Sequence, residues 1–174
     1  MAENDIAQAD DALLDLFRTT FRRHAGGVVV LTSIDPTGEP IGFTATSLAS
    51  LSAVPARATF NVIKKTNGYR AAFVGNRVAV NFLGAESAEL GSLFAGPFEQ
   101  RFVGDHWQLD GGVPVLPAAG VTLMTEIVNV YDQGENAIVV LEIVGGRVGD
   151  EQEPLLYHNR RFGTVSPIEE RAFA

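Results

Sequence analysis

Five runs rich in β-branched and aromatic residues, each bounded by turn residues, leave this chain little choice of fold. They are "VVVLTSI" from Val28, "RATFNVI" over 57–63, "RVAVNFL" over 77–83, "TLMTEIVNVY" over 122–131 and "AIVVLEIVGGRV" over 137–148. Such residues fit a pleated, half-buried surface. In the fourth run Leu123, Thr125, Ile127 and Asn129 alternate against Met124, Glu126, Val128 and Val130, the period of a sheet member. Asp35-Pro36-Thr37-Gly38 predicts a turn that folds the first run back as a hairpin, and Gly145-Gly146 predicts a bend or bulge in the last. Between the strands only short helices fit, one from Thr66 and one over 87–94. With no repeat and no linker, the predicted architecture is one domain over 1–174. It is mainly β with short helices, a small barrel with one N-terminal helix.

That helix is "DDALLDLFRTTFRRH", where Leu13, Leu14, Phe17 and Phe21 make one apolar face. Asp10 is its expected N-cap, and Arg22, Arg23 and His24 suit the negative end of the macrodipole. Charge and composition then exclude whole classes. A net charge of −8 is wrong for a general nucleic-acid binder. The absence of cysteine removes disulfides, thiolate nucleophiles and Cys-ligated zinc. "MAENDIAQADD" is unlike a signal peptide, and no apolar run approaches the ~20 residues of a membrane span. The expected setting is the cytoplasm, with neither membrane nor nucleic acid as partner.

His24, His106 and His158 lie far apart, without metal-ligand spacing, and are read as surface or packed residues; no metal is expected. Ser47 lacks the GxSxG elbow of a serine hydrolase, and no GxGxxG follows the first strand. Two stretches do suggest a ligand. "IKKTNGYR" over 63–70 places two lysines at a strand exit, with Thr66 expected to cap a short helix, which is how a phosphate is held. "GFTATSLASLSAVPA" over 42–56 crowds Thr44, Thr46, Ser47, Ser50 and Ser52 between slim Gly42, Ala45, Ala49 and Ala53. A strand so slim lets a ligand approach its backbone closely. Residues 95–120 show no clean periodicity, and long irregular segments in compact domains are usually functional.

Taken in order, "GGVVVLTS", "GFTATSLASLSAVPA", "VAVNFLGAESAELGSLFAG", "RFVGDHW" and "PLLYHNRRFGTV" resemble the flavin reductase-like family over residues 17–165. The resemblance implies an FMN-binding split β-barrel that takes FMN (or FAD) and NADH or NADPH. It also implies a homodimer that passes diffusible reduced flavin to a flavin-dependent monooxygenase. By the match, backbone N–H groups of Thr44, Ala45, Thr46 and Ser47 face the isoalloxazine ring, with Ser50 further along. Asn61, Lys64, Lys65 and Thr66 hold ribityl and phosphate, and Phe94, Ala95 and Gly96 edge the pocket. Aromatic Phe98, Phe102 and Trp107 are the expected dimer contacts.

One departure stands out. Where the family carries Gly-Asp-His before the late apolar strand, its His touching the nicotinamide, this chain has Gly134-Glu135-Asn136. Asn136 keeps hydrogen-bonding capacity but loses the imidazole. Tyr157 and Arg160 are the next candidates for that contact. His106, in a separate Gly-Asp-His, is not given the role. The departure leaves a second reading open: a flavin-binding carrier, sensor or oxidoreductase with another electron donor.

Overall fold

A computed structural model describes residues 3–167. Helix α1 (Glu3–Arg23) leads to β1 (Gly26–Gly27), β2 (Val29–Ile34), β3 (Pro40–Ala45), β4 (Ala49–Ala53) and β5 (Ala56–Ile63). After a 3-10 turn over Asn67–Ala71 come β6 (Arg77–Phe82), α2 (Ala88–Ala95), β7 (Gln108–Asp110) and β8 (Val113–Val115). The long strands β9 (Val121–Gln133) and β10 (Asn136–Val148) precede short β11 (Leu156–His158) and β12 (Arg161–Gly163). No described helix is long and apolar enough to cross a membrane.

Seven strands form one antiparallel sheet in the order β3-β2-β6-β9-β10-β5-β4. Its inner face closes on itself: Leu31, Ala45, Phe60, Val80, Ile127 and Leu141, from six different strands, meet in one buried cluster. Phe43, on β3 at one end of the sheet order, and Phe60, on β5 one strand from the other end, stand 6.0 Å apart between ring centroids. Edge strands β3 and β4 do not pair with each other; residues 46–48 join them across an open seam. This is the split barrel that the family resemblance implies.

Strand β2 is buried on both faces, which explains a run of Val and Leu without alternation. Its outward Val30, with Val28 just before the strand, packs with Phe94 of α2, Leu116 and Leu155 in a second cluster, edged by Phe102 and Trp107. The 95–120 segment therefore builds this outer layer and is not structureless: it holds a 3-10 turn over Phe98–Gln100 and the β7–β8 hairpin. Phe102 and Trp107 are half-buried there, and the Trp107 indole N–H donates to the Phe102 carbonyl at 2.9 Å. They are not the exposed dimer aromatics expected from sequence.

One further expectation is corrected. Helix α1 begins at Glu3, so Asp10 lies within it and is not its N-cap. Its apolar face does not cover the barrel: Leu13, Leu16, Phe17 and Phe21 are 59–64% exposed. The predicted turn does form. Buried Asp35 accepts hydrogen bonds from Thr37 Oγ1 and from the N–H groups of Thr37 and Glu39, and it pairs with Arg70. The Thr37 hydroxyl, then the backbone donors and Arg70, hold the Asp35 carboxyl below its usual range against the opposing effect of burial. Gly145-Gly146 likewise marks a bulge, where Gly146 lies so near β9 that a Cβ would meet the Thr122 carbonyl at 2.4 Å.

Candidate functional site

Strand β3 carries the slim stretch, and its pairing decides what it offers. The Asp35 N–H donates to the Glu39 carbonyl, and Asp35 and Glu39 continue the β2–β3 register. Antiparallel pairs alternate, so Ile41, Phe43 and Ala45 turn their backbone groups to β2, while Gly42 and Thr44 turn theirs to the open seam. Pro40, with no N–H, fits a position that makes no ladder bond. The seam is thus an unpaired strand edge, a row of donors and acceptors with no protein strand to meet them.

The hydroxyls serve to fix that edge. Thr44 Oγ1 donates to the Gly91 carbonyl of α2 at 2.6 Å, and Ser47 Oγ accepts from the Asn61 N–H at 3.1 Å. Ser52 Oγ donates to the Pro55 carbonyl at 2.5 Å. Satisfied side chains leave the backbone to face the cleft. Gly42 is required by close approach, since a Cβ there would meet the Phe94 ring at 2.6 Å.

A cleft of about 610 Å³ opens on this edge. Thr44, Ala45, Thr46, Ser47, Asn61, Lys65, Thr66, Phe94 and Ala95 line it, together with Arg101, which sequence reasoning did not assign, and Phe98, expected at a dimer contact and found half-buried in the cleft wall. Ser50, Lys64 and Gly96 are not among the lining residues. Ser50 lies on exposed β4, and Gly96 ends α2 just behind Ala95. The two lysines part company: Lys64 pairs with Asp132, whose carboxyl the Lys64 hydrogen bond lowers, whereas Lys65 is 76% exposed and only 3.9 Å from Glu135. Thr66 occupies the N-cap position of the 3-10 turn, but its hydroxyl donates back to the Ile63 carbonyl at 2.7 Å. The N–H groups opening the turn therefore lack a side-chain acceptor. The turn lies tight on β3, where a Cβ at Gly68 would meet the Phe43 ring at 2.7 Å.

Arg101 forms the opposite wall. Its guanidinium donates to the Gly96 carbonyl at 2.7 and 3.1 Å and to the Gly42 carbonyl at 2.7 Å. Burial, partly offset by Glu99, lowers its pKa, yet a guanidinium is not deprotonated in proteins and it stays charged. No carboxylate pairs with it among the described residues. Phe98 lies between Arg101 and Arg70, whose Cζ atoms stand 5.8 and 5.9 Å from its ring centroid.

A second cleft, of about 820 Å³, shares Thr46, Ser47 and Asn61 with the first and is walled by α1 and the β11–β12 turn. Tyr157 and Arg160 line it. Asn136 lines neither cleft; it stands opposite Ile63, itself a lining residue of the first. The left-handed residue of that hairpin is Gly134, at φ +66. His106 is held by packing: its Nε2 lies 2.8 Å from the Arg101 carbonyl and its ring meets Phe94 edge-on.

A family model for the flavin reductase like domain matches residues 21–166, and the chain belongs to this family. An NADH:FMN oxidoreductase of Rhodococcus erythropolis is 30% identical over 158 residues, 87% of this chain and 82% of the relative. The crystal structure of a flavin reductase domain protein from Arthrobacter sp. FB24 is similar with a TM-score of 0.84 and 39% identity, covering 90% of this chain and 98% of that one. The Streptomyces globisporus NADH:FAD oxidoreductase SgcE6, in complex with NAD and FAD fragments, is similar with a TM-score of 0.79 and 26% identity over 88% and 93% of the two chains.

Proposed function

We propose that this chain is an NAD(P)H:flavin oxidoreductase that binds FMN, or FAD, in the cleft on the β3 edge. The observation that carries the assignment is the unpaired edge itself: backbone groups of Thr44 turned to the seam, Thr46 and Ser47 just beyond the strand, slim side chains around them, and cations Lys65 and Arg101 on either side. A cleft of about 610 Å³ is within the range of cofactor sites. Thr44, Thr46 and Ser47 would offer backbone groups to the ring, whereas Ala45, expected to do the same, has its N–H turned to β2 and only lines the cleft; Asn61, Lys65 and Thr66 would hold ribityl and phosphate. Lys64, bound to Asp132, stands behind them as support for the β9–β10 hairpin.

A flavin held there would supply the electron sink for hydride transfer from a nicotinamide. The chain's own part is orientation and charge. Backbone donors along β3 favour the negative charge that reduction builds on the ring edge. The second cleft, open to the same floor at Thr46, Ser47 and Asn61, is where the nicotinamide would approach, with Tyr157 and Arg160 beside it and Asn136 one strand away. Anaerobic mixing with NADH or NADPH tests this reading. The Asn136 departure favours, as the second reading, a flavin carrier slow with either nicotinamide.

The reduced flavin is proposed to diffuse to a partner monooxygenase, and the compartment is proposed to be the cytoplasm. The assembly is proposed to be a homodimer. Its support is now the outer barrel face, where Ile63, Ile138 and Tyr131 stand exposed beside the cleft. Light scattering at micromolar protein should give twice the chain mass; a monomer would contradict the assembly.

A further inference from the structure

Two guanidinium groups share the Phe98 ring, and they are not equivalent. Arg101 lines the first cleft, whereas Arg70 lines neither cleft. Both Cζ atoms stand within 6 Å of the ring centroid, at 5.8 and 5.9 Å, the reach of a cation–π contact. Like charges repel, so the arrangement is favourable only if one of the two is neutralised.

Arg70 is the neutralised one. Its Nη2 donates to Asp35 Oδ2 and, at 2.7 Å, to Glu39 Oε2. The β2–β3 turn does not need the first of these bonds. Its own three donors all converge on Asp35 Oδ1, which leaves Oδ2 to Arg70. The Asp35 side chain is only 1% exposed, so Arg70 is tied to a fixed point. Arg101 has no such partner. One N–H each from its Nε, Nη1 and Nη2 goes to the Gly96 and Gly42 carbonyls. A guanidinium carries five N–H donors, so two remain without a bond among the described residues.

We infer that Arg70 is a positioning residue for the flavin site. Fixed by Asp35 and Glu39, it holds the Phe98 ring, and through that ring it holds Arg101 with two N–H groups ready for an acceptor oxygen of the ligand. A cation already stacked and bonded to two carbonyls loses little freedom on binding, which is the gain of preorganisation. The inference rests on the proposed flavin reading. The oxygen belongs to the phosphate or to the ring, and the experiment separates the two.

Fluorescence titrations with FMN and with riboflavin test it in a double-mutant cycle. One arm replaces Arg70 and its buried partner together, Arg70→Leu/Asp35→Asn, so that no buried charge is left unpaired. The other arm is Arg101→Ala. The Arg70 change should weaken FMN about tenfold with Arg101 present, and less than about twofold once Arg101 is gone. A purely structural role gives the same loss in both backgrounds. Loss for FMN alone places the oxygen on the phosphate; equal loss for riboflavin places it on the ring. Arg70→Lys keeps Asp35 paired and covers the case in which the double substitution fails to fold. An ammonium lacks the planar face, so a loss of about threefold is expected, again only with Arg101 present. Unchanged FMN affinity, or equal losses with and without Arg101, overturns the inference. A wild type that binds neither flavin is a different failure: it removes the flavin site itself, and the inference with it.

Discussion

Phe94→Ala should lower the unfolding free energy by about 3–5 kcal/mol, the usual cost of removing a fully buried aromatic ring. Phe94 is 0% exposed, and it joins three parts of the molecule. It meets Phe102 and His106 edge-on, with centroids 5.3 and 5.9 Å away, and Gly42 of β3 lies directly against it. Truncation leaves a cavity under α2 and frees the 96–107 segment from the barrel. The melting temperature should fall by about 6–20 °C, at roughly 2–4 °C per kcal/mol for a chain of this size. Flavin affinity should fall with it, because the same ring lines the cleft. Calorimetry and urea titration check the first expectation, and flavin fluorescence the second. A loss below about 1 kcal/mol would mean the outer layer does not depend on this ring.

Arg101→Ala should raise the FMN dissociation constant about ten- to hundredfold, corresponding to the roughly 1.5–3 kcal/mol of a hydrogen bond to a charged group. Two causes act together. The cleft loses a cation that no carboxylate neutralises, and the Gly96 and Gly42 carbonyls lose the fork that holds the wall to β3. Arg101→Lys separates them, since an ammonium keeps the charge and loses the planar fork. If lysine restores binding, charge dominates; if it behaves like alanine, wall position dominates. Unchanged affinity in both variants would remove Arg101 from the site.

Much of this was legible in the residues, and the failures have physical reasons. Strands with β-branched runs were visible because their composition and period are local properties. The β2–β3 hairpin was visible because Pro36 and Gly38 fit a turn, and Gly38 indeed has φ +88. The slim stretch pointed to the cleft, but its hydroxyls proved to be anchors for the backbone. Lys64 and Lys65 could not be separated from sequence, because both lie in the turn beyond β5, where strand alternation no longer decides which way a side chain points.

Arg101 was missed because its role depends on the Gly42 carbonyl, 59 residues away, and nothing local marks it. The second cleft was invisible for the same reason, being assembled from α1, the 46–49 link and the β11–β12 turn. Helix α1 was recognised by period, yet its start was misplaced, since Asp10 looks like a cap and the helix runs on past it to Glu3.

The central claim is that this edge-lined cleft holds a flavin and that a nicotinamide reduces it there. Anaerobic stopped-flow mixing of FMN-loaded protein with NADH, and separately with NADPH, tests it most directly by following the oxidised-flavin absorbance band. The account predicts that the band bleaches with at least one nicotinamide, much faster than free FMN does, and that excess FMN is then reduced catalytically. If bound flavin stays oxidised with both nicotinamides but bleaches with dithionite, the cleft binds flavin without reducing it, and the oxidoreductase assignment is contradicted.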